Sequence, residues 1–193
     1  MTKLSMNING RDVRADVDER MLLIEFIREV GMLTGTHAGC YEARCGCCAV
    51  EMNGATVKSC NLLALQADGA EILTVEALSR QRVAPISHIT TQTLASVYQP
   101  LDAKASHTAD LHPLQLAFHQ CHALQCGFCT PGMLMVLKGF LEETPNPTRS
   151  QVREAISGNL CRCTGYQHIV DAAMRAAAMM RGEVTGDVIH EAV

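Results

Sequence analysis

The chain has 193 residues, 48% of them hydrophobic and 19% charged, with a formal net charge of −4. That length suits one large domain or two small ones and permits a sizeable core, and the periodic recurrence of apolar residues excludes global disorder. The acidic balance, with four Phe, three Tyr and no Trp, speaks against nucleic-acid binding, which needs a basic face and stacking platforms.

Aliphatic runs such as Met21-Leu22-Leu23-Ile24 fall far short of the ~20 residues that cross a bilayer. Residues 1–13 alternate polar and apolar and reach Arg11 and Asp12 without the apolar core of a secretory signal, so a cytoplasmic location is expected. Ten cysteines in such a reducing compartment point to metal or redox chemistry rather than to a disulfide frame.

Leu4, Met6 and Ile8 alternate with polar neighbours up to Asn9-Gly10, and Val13, Ala15 and Val17 alternate after it, which predicts a hairpin of strands 3–9 and 11–17. Leu22, Leu23, Phe26, Ile27 and Val30 fall at helical spacing, predicting a helix over 20–30 capped by Asp16 or Asp18 and stopped by Gly31. A second hairpin turns at Asn53-Gly54 between 49–52 and 56–58, and Ile72–Val75 reads as a further short strand. The first ~78 residues thus describe a small mixed sheet crossed by one helix.

Beyond Ala77 a polar, weakly patterned stretch reads as a linker or inserted loop, with Leu94 and Val97 on a candidate helical turn. From His112 the pattern is helical. Residues 113–123 form a first helix, and Thr130-Pro131 places a cap and an N1 proline ahead of Met133, Leu134, Leu137, Phe140 and Leu141. Thr148 with Gln151 is a capping box for a helix stopped by Gly158, and Gln167–Arg181, rich in Ala and Met, completes four helices, enough for a bundle. The division is therefore 1–78, a linker or insert over 79–111, a helical domain over 112–181, and a tail over 182–193.

Cys40, Cys45 and Cys48 lie at C-x4-C-x2-C, with Cys60 at the end of the second hairpin; this is the plant-type ferredoxin spacing for a [2Fe-2S] cluster. Two ferric ions, two sulfides and four thiolates carry a formal charge of about −2, so backbone N–H groups must approach the sulfurs, and Gly35, Gly39 and Gly46 suit that need. A four-cysteine zinc site usually shows two short C-x2-C pairs instead. The second set, Cys126-x2-Cys129 and Cys161-x-Cys163, sits at helix boundaries, with the positive end of the helix after Cys129 facing its thiolates. By spacing alone this set suits zinc as well as [2Fe-2S].

Cys47 and Cys121 are left over and read as buried fillers. The histidines, His37, His112, His119, His122 and His168 among them, show no ligand spacing and read as surface or capping residues. Paired carboxylates, a nucleophile elbow and a phosphate loop are absent from the sequence, so nothing in it reads as a catalytic centre.

Three segments, GCYEARCGCCAV with Ser59-Cys60, LQCGFCTPGM and SGNLCRCTGYQHIV, resemble the small iron-sulfur subunit of the molybdenum hydroxylases, the xanthine oxidase and aerobic carbon monoxide dehydrogenase family. The resemblance spans about residues 3–78 and 111–178. It implies an α+β chain: an N-terminal β-grasp, plant-type ferredoxin-like domain, then a C-terminal four-helix-bundle domain, each holding one [2Fe-2S] cluster. The implied ligands are Cys40, Cys45, Cys48 and Cys60 for the first, and Cys126, Cys129, Cys161 and Cys163 for the second. It further implies a large subunit with the molybdopterin-type molybdenum cofactor and a medium subunit with FAD, in a heterotrimer that dimerises.

In such proteins the helical-domain cluster is nearest the pterin, which would place Gln125 and Cys163 against it, and the plant-type cluster leads toward the flavin. This sequence departs from the family's habit at Ala43, Arg44, Cys47 and Ala49, and a cation such as Arg44 beside the cluster favours its reduced form. The stretch from Gln81 to Asp110 is longer than the family's usual connection. Alternatives from other classes are a free two-cluster ferredoxin that shuttles electrons between enzymes and a zinc-stabilised interaction module.

Overall fold

The computed structural model describes residues 1–79 and 111–184. The polar stretch with Leu94 and Val97, and most of the tail expected over 182–193, lie outside the described residues.

Strands β1 (Thr2–Ile8) and β2 (Arg11–Val17) pair antiparallel around Asn9 and Gly10, at φ 55° and 81°. Positive φ at both central residues gives the turn whose twist matches the strands it joins. The second hairpin, β3 (Ala49–Met52) and β4 (Ala55–Lys58), repeats the device at Asn53 and Gly54. Strand β5 (Glu71–Leu73) runs parallel to β1 and antiparallel to β3, giving the order β2-β1-β5-β3-β4. It is shorter than its apolar pattern. Asn9 binds Thr74, accepting its N–H at 2.9 Å and donating to its hydroxyl at 2.8 Å, and the chain then turns through Val75–Ala77.

The crossing helix also differs from expectation. It begins as Leu23–Glu25 and continues as the wider turn Phe26–Val30, together α1, with the N–H of Gly31 bonded to the carbonyl of Phe26. Neither Asp16 nor Asp18 caps it: Asp18 takes the N–H of Arg20, and the Glu25 carboxylate accepts the N–H of Leu22 at 2.8 Å. Gly31 is the C-cap residue, still right-handed at φ −70°, and the chain turns away at Met32, left-handed at φ 56°; a β-carbon on Gly31 would lie 2.7 Å from the carbonyl oxygen of Ile27. Leu23, Phe26 and Ile27 of α1 pack with Leu4, Met6, Ile8, Val50 and Ile72 of the sheet to close the core of a β-grasp domain.

The second domain packs four helices: α2 (Pro113–Gln120), α3 (Thr130–Glu143), α4 (Arg149–Ala155) and α5 (Gln167–Met180). The Thr148–Gln151 capping box forms as its spacing indicates. His112 caps α2, its Nδ1 accepting the N–H of Leu114 at 3.2 Å. The cap of α3 is Cys129, not Thr130, because the helix starts one residue early; the Thr130 hydroxyl is buried without a hydrogen-bond partner among the described residues. Ala172, Ala173, Ala176 and Ala177 let α5 approach closely, and they share a core with Leu114, Phe118, Met133, Leu137 and Leu141.

The two domains are in contact. Helix α3 lies on β3, Ala49 joins the helical core, and Lys138 reaches Glu51 at 2.6 Å. Among the described residues no helix is long and apolar enough to cross a membrane.

Candidate metal centres

The loop from α1 to β3 carries the first thiols. Arg28 Nη1 staples its entry by donating to the carbonyls of Thr34 and Thr36 at 2.7 and 2.8 Å, and Glu76 accepts the N–H of Gly35 at 2.7 Å. Further on, Tyr41, Ala43 and Gly46 adopt φ of 56°, 56° and 73°. Left-handed residues interspersed with right-handed ones turn successive N–H groups inward, a concavity suited to an anion.

Cys40 Sγ accepts N–H bonds from Arg44, Glu42 and Cys45 at 3.3 to 3.4 Å, and Cys60 Sγ accepts from Ala43 at 3.3 Å. The bonds from Cys45, Glu42 and Arg44 pull the Cys40 thiol down to about 6. Burial, with Cys48 against it, pushes Cys60 up to about 11. Cys48 and Cys60 form the closed side beside Ile24, and Cys40 and Cys45 lie nearer the surface. The structure thus gathers Cys40, Cys45, Cys48 and Cys60. Cys47 is buried within the same group, 3.2 Å from Cys45 Sγ and 3.4 Å from the His37 carbonyl.

The second set gathers likewise. Cys126 and Cys163 approach to 3.6 Å, and Cys129 packs against Cys161. Burial and the Cys161 thiol push Cys129 up to about 12. Burial resists ionisation of Cys161, but the hydroxyl of Thr164, 3.2 Å away, and backbone N–H groups outweigh it and lower that thiol. Tyr166, left-handed at φ 67°, folds back so that its hydroxyl accepts the N–H of Cys161 and donates to the carbonyl of Asn159. Cys129 is buried whereas Cys126 and Cys163 are exposed, so the set opens outward past Gln125, which is also exposed, and the exposed Leu124, Phe128 and Leu160.

Both donor sets suit [2Fe-2S] clusters. Each is four thiols, and the first is wrapped in N–H groups that offset the charge of an anionic cluster. Cys121 is half-buried at the end of α2, in neither set.

A seam between the domains joins the two sets. Leu160, directly before Cys161, donates its N–H to the carbonyl of Cys45 at 2.9 Å, and Asn159 Nδ2 donates to the carbonyl of Gly46 at 3.1 Å. His37 Nδ1 donates to the carbonyl of Phe128, between Cys126 and Cys129, at 2.8 Å, with the two rings stacked at 4.9 Å. His37 is therefore an interdomain contact rather than a surface or capping residue. Arg28, Glu76 and Asn159 carry no sequence signal for these roles: Glu76 and Asn159 act on backbone groups 41 and 113 residues away, and Arg28 acts on carbonyls six and eight residues on, beyond any local capping pattern.

Fold and site together define a class: a two-domain protein that binds one [2Fe-2S] cluster in each domain. Residues 6–78 match the family described as a 2Fe-2S iron-sulfur cluster binding domain, and residues 101–174 match the [2Fe-2S] binding domain. The 6-hydroxypseudooxynicotine dehydrogenase complex subunit beta of Paenarthrobacter nicotinovorans is 41% identical over 90% of this chain and 92% of its own. The caffeine dehydrogenase subunit gamma of Pseudomonas sp. strain CBB1 is 41% identical over 88% and 87%. In the crystal structure of quinoline 2-oxidoreductase from Pseudomonas putida 86, a chain 42% identical superposes with a TM-score of 0.73, covering 95% of this chain and 98% of that one. The chain belongs to the small iron-sulfur subunits of the molybdenum hydroxylases.

Proposed function

We propose that this chain conducts electrons one at a time from a molybdopterin centre on a large partner subunit, through its helical domain and then its ferredoxin-like domain, to FAD on a medium subunit. Cys126, Cys129, Cys161 and Cys163 hold the cluster that receives electrons, and Cys40, Cys45, Cys48 and Cys60 hold the cluster that passes them on. When bound, such clusters supply one-electron chemistry, so two of them divide the electron pair that a hydroxylation releases.

The observation that carries this reading is the hydrogen bond from Leu160 to Cys45, which links a residue adjoining one thiol set to a member of the other. Gln125 and Cys163, on the exposed side of the second set, face the pterin in this reading, and the partners form a heterotrimer that dimerises. The chain's own residues shield thiols, donate N–H groups to sulfur and fix the two sets relative to each other. The choice of substrate lies with the large subunit.

The test is Cys126→Ser in the assembled complex. The expected result is loss of one of two EPR signals after dithionite reduction, about half the iron, and loss of substrate-driven flavin reduction. Unchanged turnover with full iron would refute the reading. Co-purification with two larger chains is expected; purification of this chain alone at full yield favours a free shuttle.

A further inference from the structure

The sequence offers Arg44 as the cation beside the first cluster, but the structure gives Arg44 a counter-charge and a place in solvent. It pairs with Glu42 at 3.5 Å, with the two side chains 81% and 67% exposed. An exposed ion pair of this kind projects little field.

Lys58 is the cation held inside. It ends β4, two residues before Cys60, and is half-buried. Its Nζ donates to the carbonyl of Ala43 at 2.7 Å, while the N–H of the same Ala43 donates to Cys60 Sγ at 3.3 Å. A single residue therefore connects the ammonium to a thiol of the first set. The helical domain closes the other side, since a β-carbon on Gly158 would lie 3.5 Å from Nζ. Among the described residues no carboxylate lies within ion-pairing distance of Lys58.

We propose that Lys58 is a positioning residue for the first cluster, which holds the Ala43 N–H on Cys60 and makes the cluster easier to reduce. The proposal rests on the assignment of Cys40, Cys45, Cys48 and Cys60 as ligands. Ala43 is left-handed at φ 56°, a conformation uncommon for a residue with a side chain, and the bond from Lys58 to its carbonyl keeps it there. With four thiolates the cluster takes up one electron as its formal charge goes from about −2 to about −3. A fixed positive charge stabilises the more negative state more, and partial burial limits screening by salt.

The experiment compares Lys58→Met, Lys58→Gln and Lys58→Arg in the assembled complex, with iron and labile sulfide measured first. Midpoint potentials then come from EPR-monitored titration with dithionite, the first cluster's signal being the one that survives in Cys126→Ser. In Lys58→Met, the reduced-to-oxidised ratio of the first cluster at fixed ambient potential is expected to fall about tenfold, a midpoint lower by ~59 mV for a one-electron couple. The second cluster's potential is expected to stay put. Lys58→Gln, which keeps a donor for Ala43 but no charge, is expected to fall between Lys58→Met and the native chain, and Lys58→Arg to restore the native value. A native midpoint in Lys58→Met at full iron overturns the proposal, as does an equal drop in Lys58→Met and Lys58→Arg. If Lys58→Met loses iron, Lys58→Gln decides by the same two outcomes. The ligand assignment fails separately, if Cys40→Ser retains all its iron.

Discussion

Gly132 of α3 lies so close to Gly46 that a β-carbon on it would sit 2.2 Å from the Gly46 carbonyl oxygen and 2.7 Å from Cys47 Cα. Both obstacles are backbone of the loop that carries the first thiols, so neither can swing aside. Gly132→Ala gains helix propensity, worth up to ~1 kcal/mol, yet must push the domains apart. The expected net result is a loss of about 1–3 kcal/mol of stability, in the range measured for overpacked interiors. A thermal midpoint several degrees lower in the loaded protein checks this; a higher midpoint contradicts the contact.

Asn159 acts at the same seam by hydrogen bonding rather than by shape. It is 3% exposed, and its Nδ2 satisfies the Gly46 carbonyl across the interface. Asn159→Ala removes the bond across the interface and leaves that carbonyl with the N–H of Ala49 alone, at 3.2 Å, at a cost of about 0.5–1.5 kcal/mol. Asn159→Asp is expected to be worse, because a carboxylate facing a carbonyl oxygen repels it. Denaturant titration should rank the native chain above Asn159→Ala and Asn159→Asp last.

Lys138 is the seam's charged tie. Its side chain is 13% exposed and bonds Glu51 of β3 at 2.6 Å and Glu142 of its own helix at 2.9 Å. Lys138→Met strands the Glu51 carboxylate, which is 20% exposed, beside an apolar side chain. Breaking one side of such a pair costs more than the pair contributes, here about 2–3 kcal/mol. The double change Lys138→Met with Glu51→Leu is expected to recover most of the loss, and a double variant no more stable than the single one would show that the carboxylate is not the cause.

Local chemistry wrote much of this molecule visibly into its sequence. Asn9-Gly10 and Asn53-Gly54 mark both hairpins, Thr148 and Gln151 mark a helix start, and cysteine spacing separates the two thiol sets from Cys121. What the residue pattern hides is of two kinds. One is competition between neighbours, as where Glu25 rather than Asp18 serves the start of α1, or where Cys129 displaces Thr130 as a cap. The other is long-range pairing: Asn159 with Gly46, His37 with Phe128, and Lys58 with the loop over Cys60 each join groups whose partnership no periodicity encodes.

Acid should loosen the helical domain through His112. Burial, reinforced by the Lys138 ammonium and only partly offset by Glu142, lowers the pKa of this imidazole below its ordinary value near 6.5. Its Nδ1 must also stay unprotonated to accept the N–H of Leu114. The unfolded chain therefore binds the proton more readily than the folded one, so this contribution to stability is complete above about pH 6.5 and is lost as pH falls through the range below it. His112→Asn supplies a capping oxygen that does not titrate in that range. The thermal midpoint of the native chain is expected to drop more between pH 7.5 and pH 5.5 than that of His112→Asn; equal drops would assign the acid sensitivity to other groups.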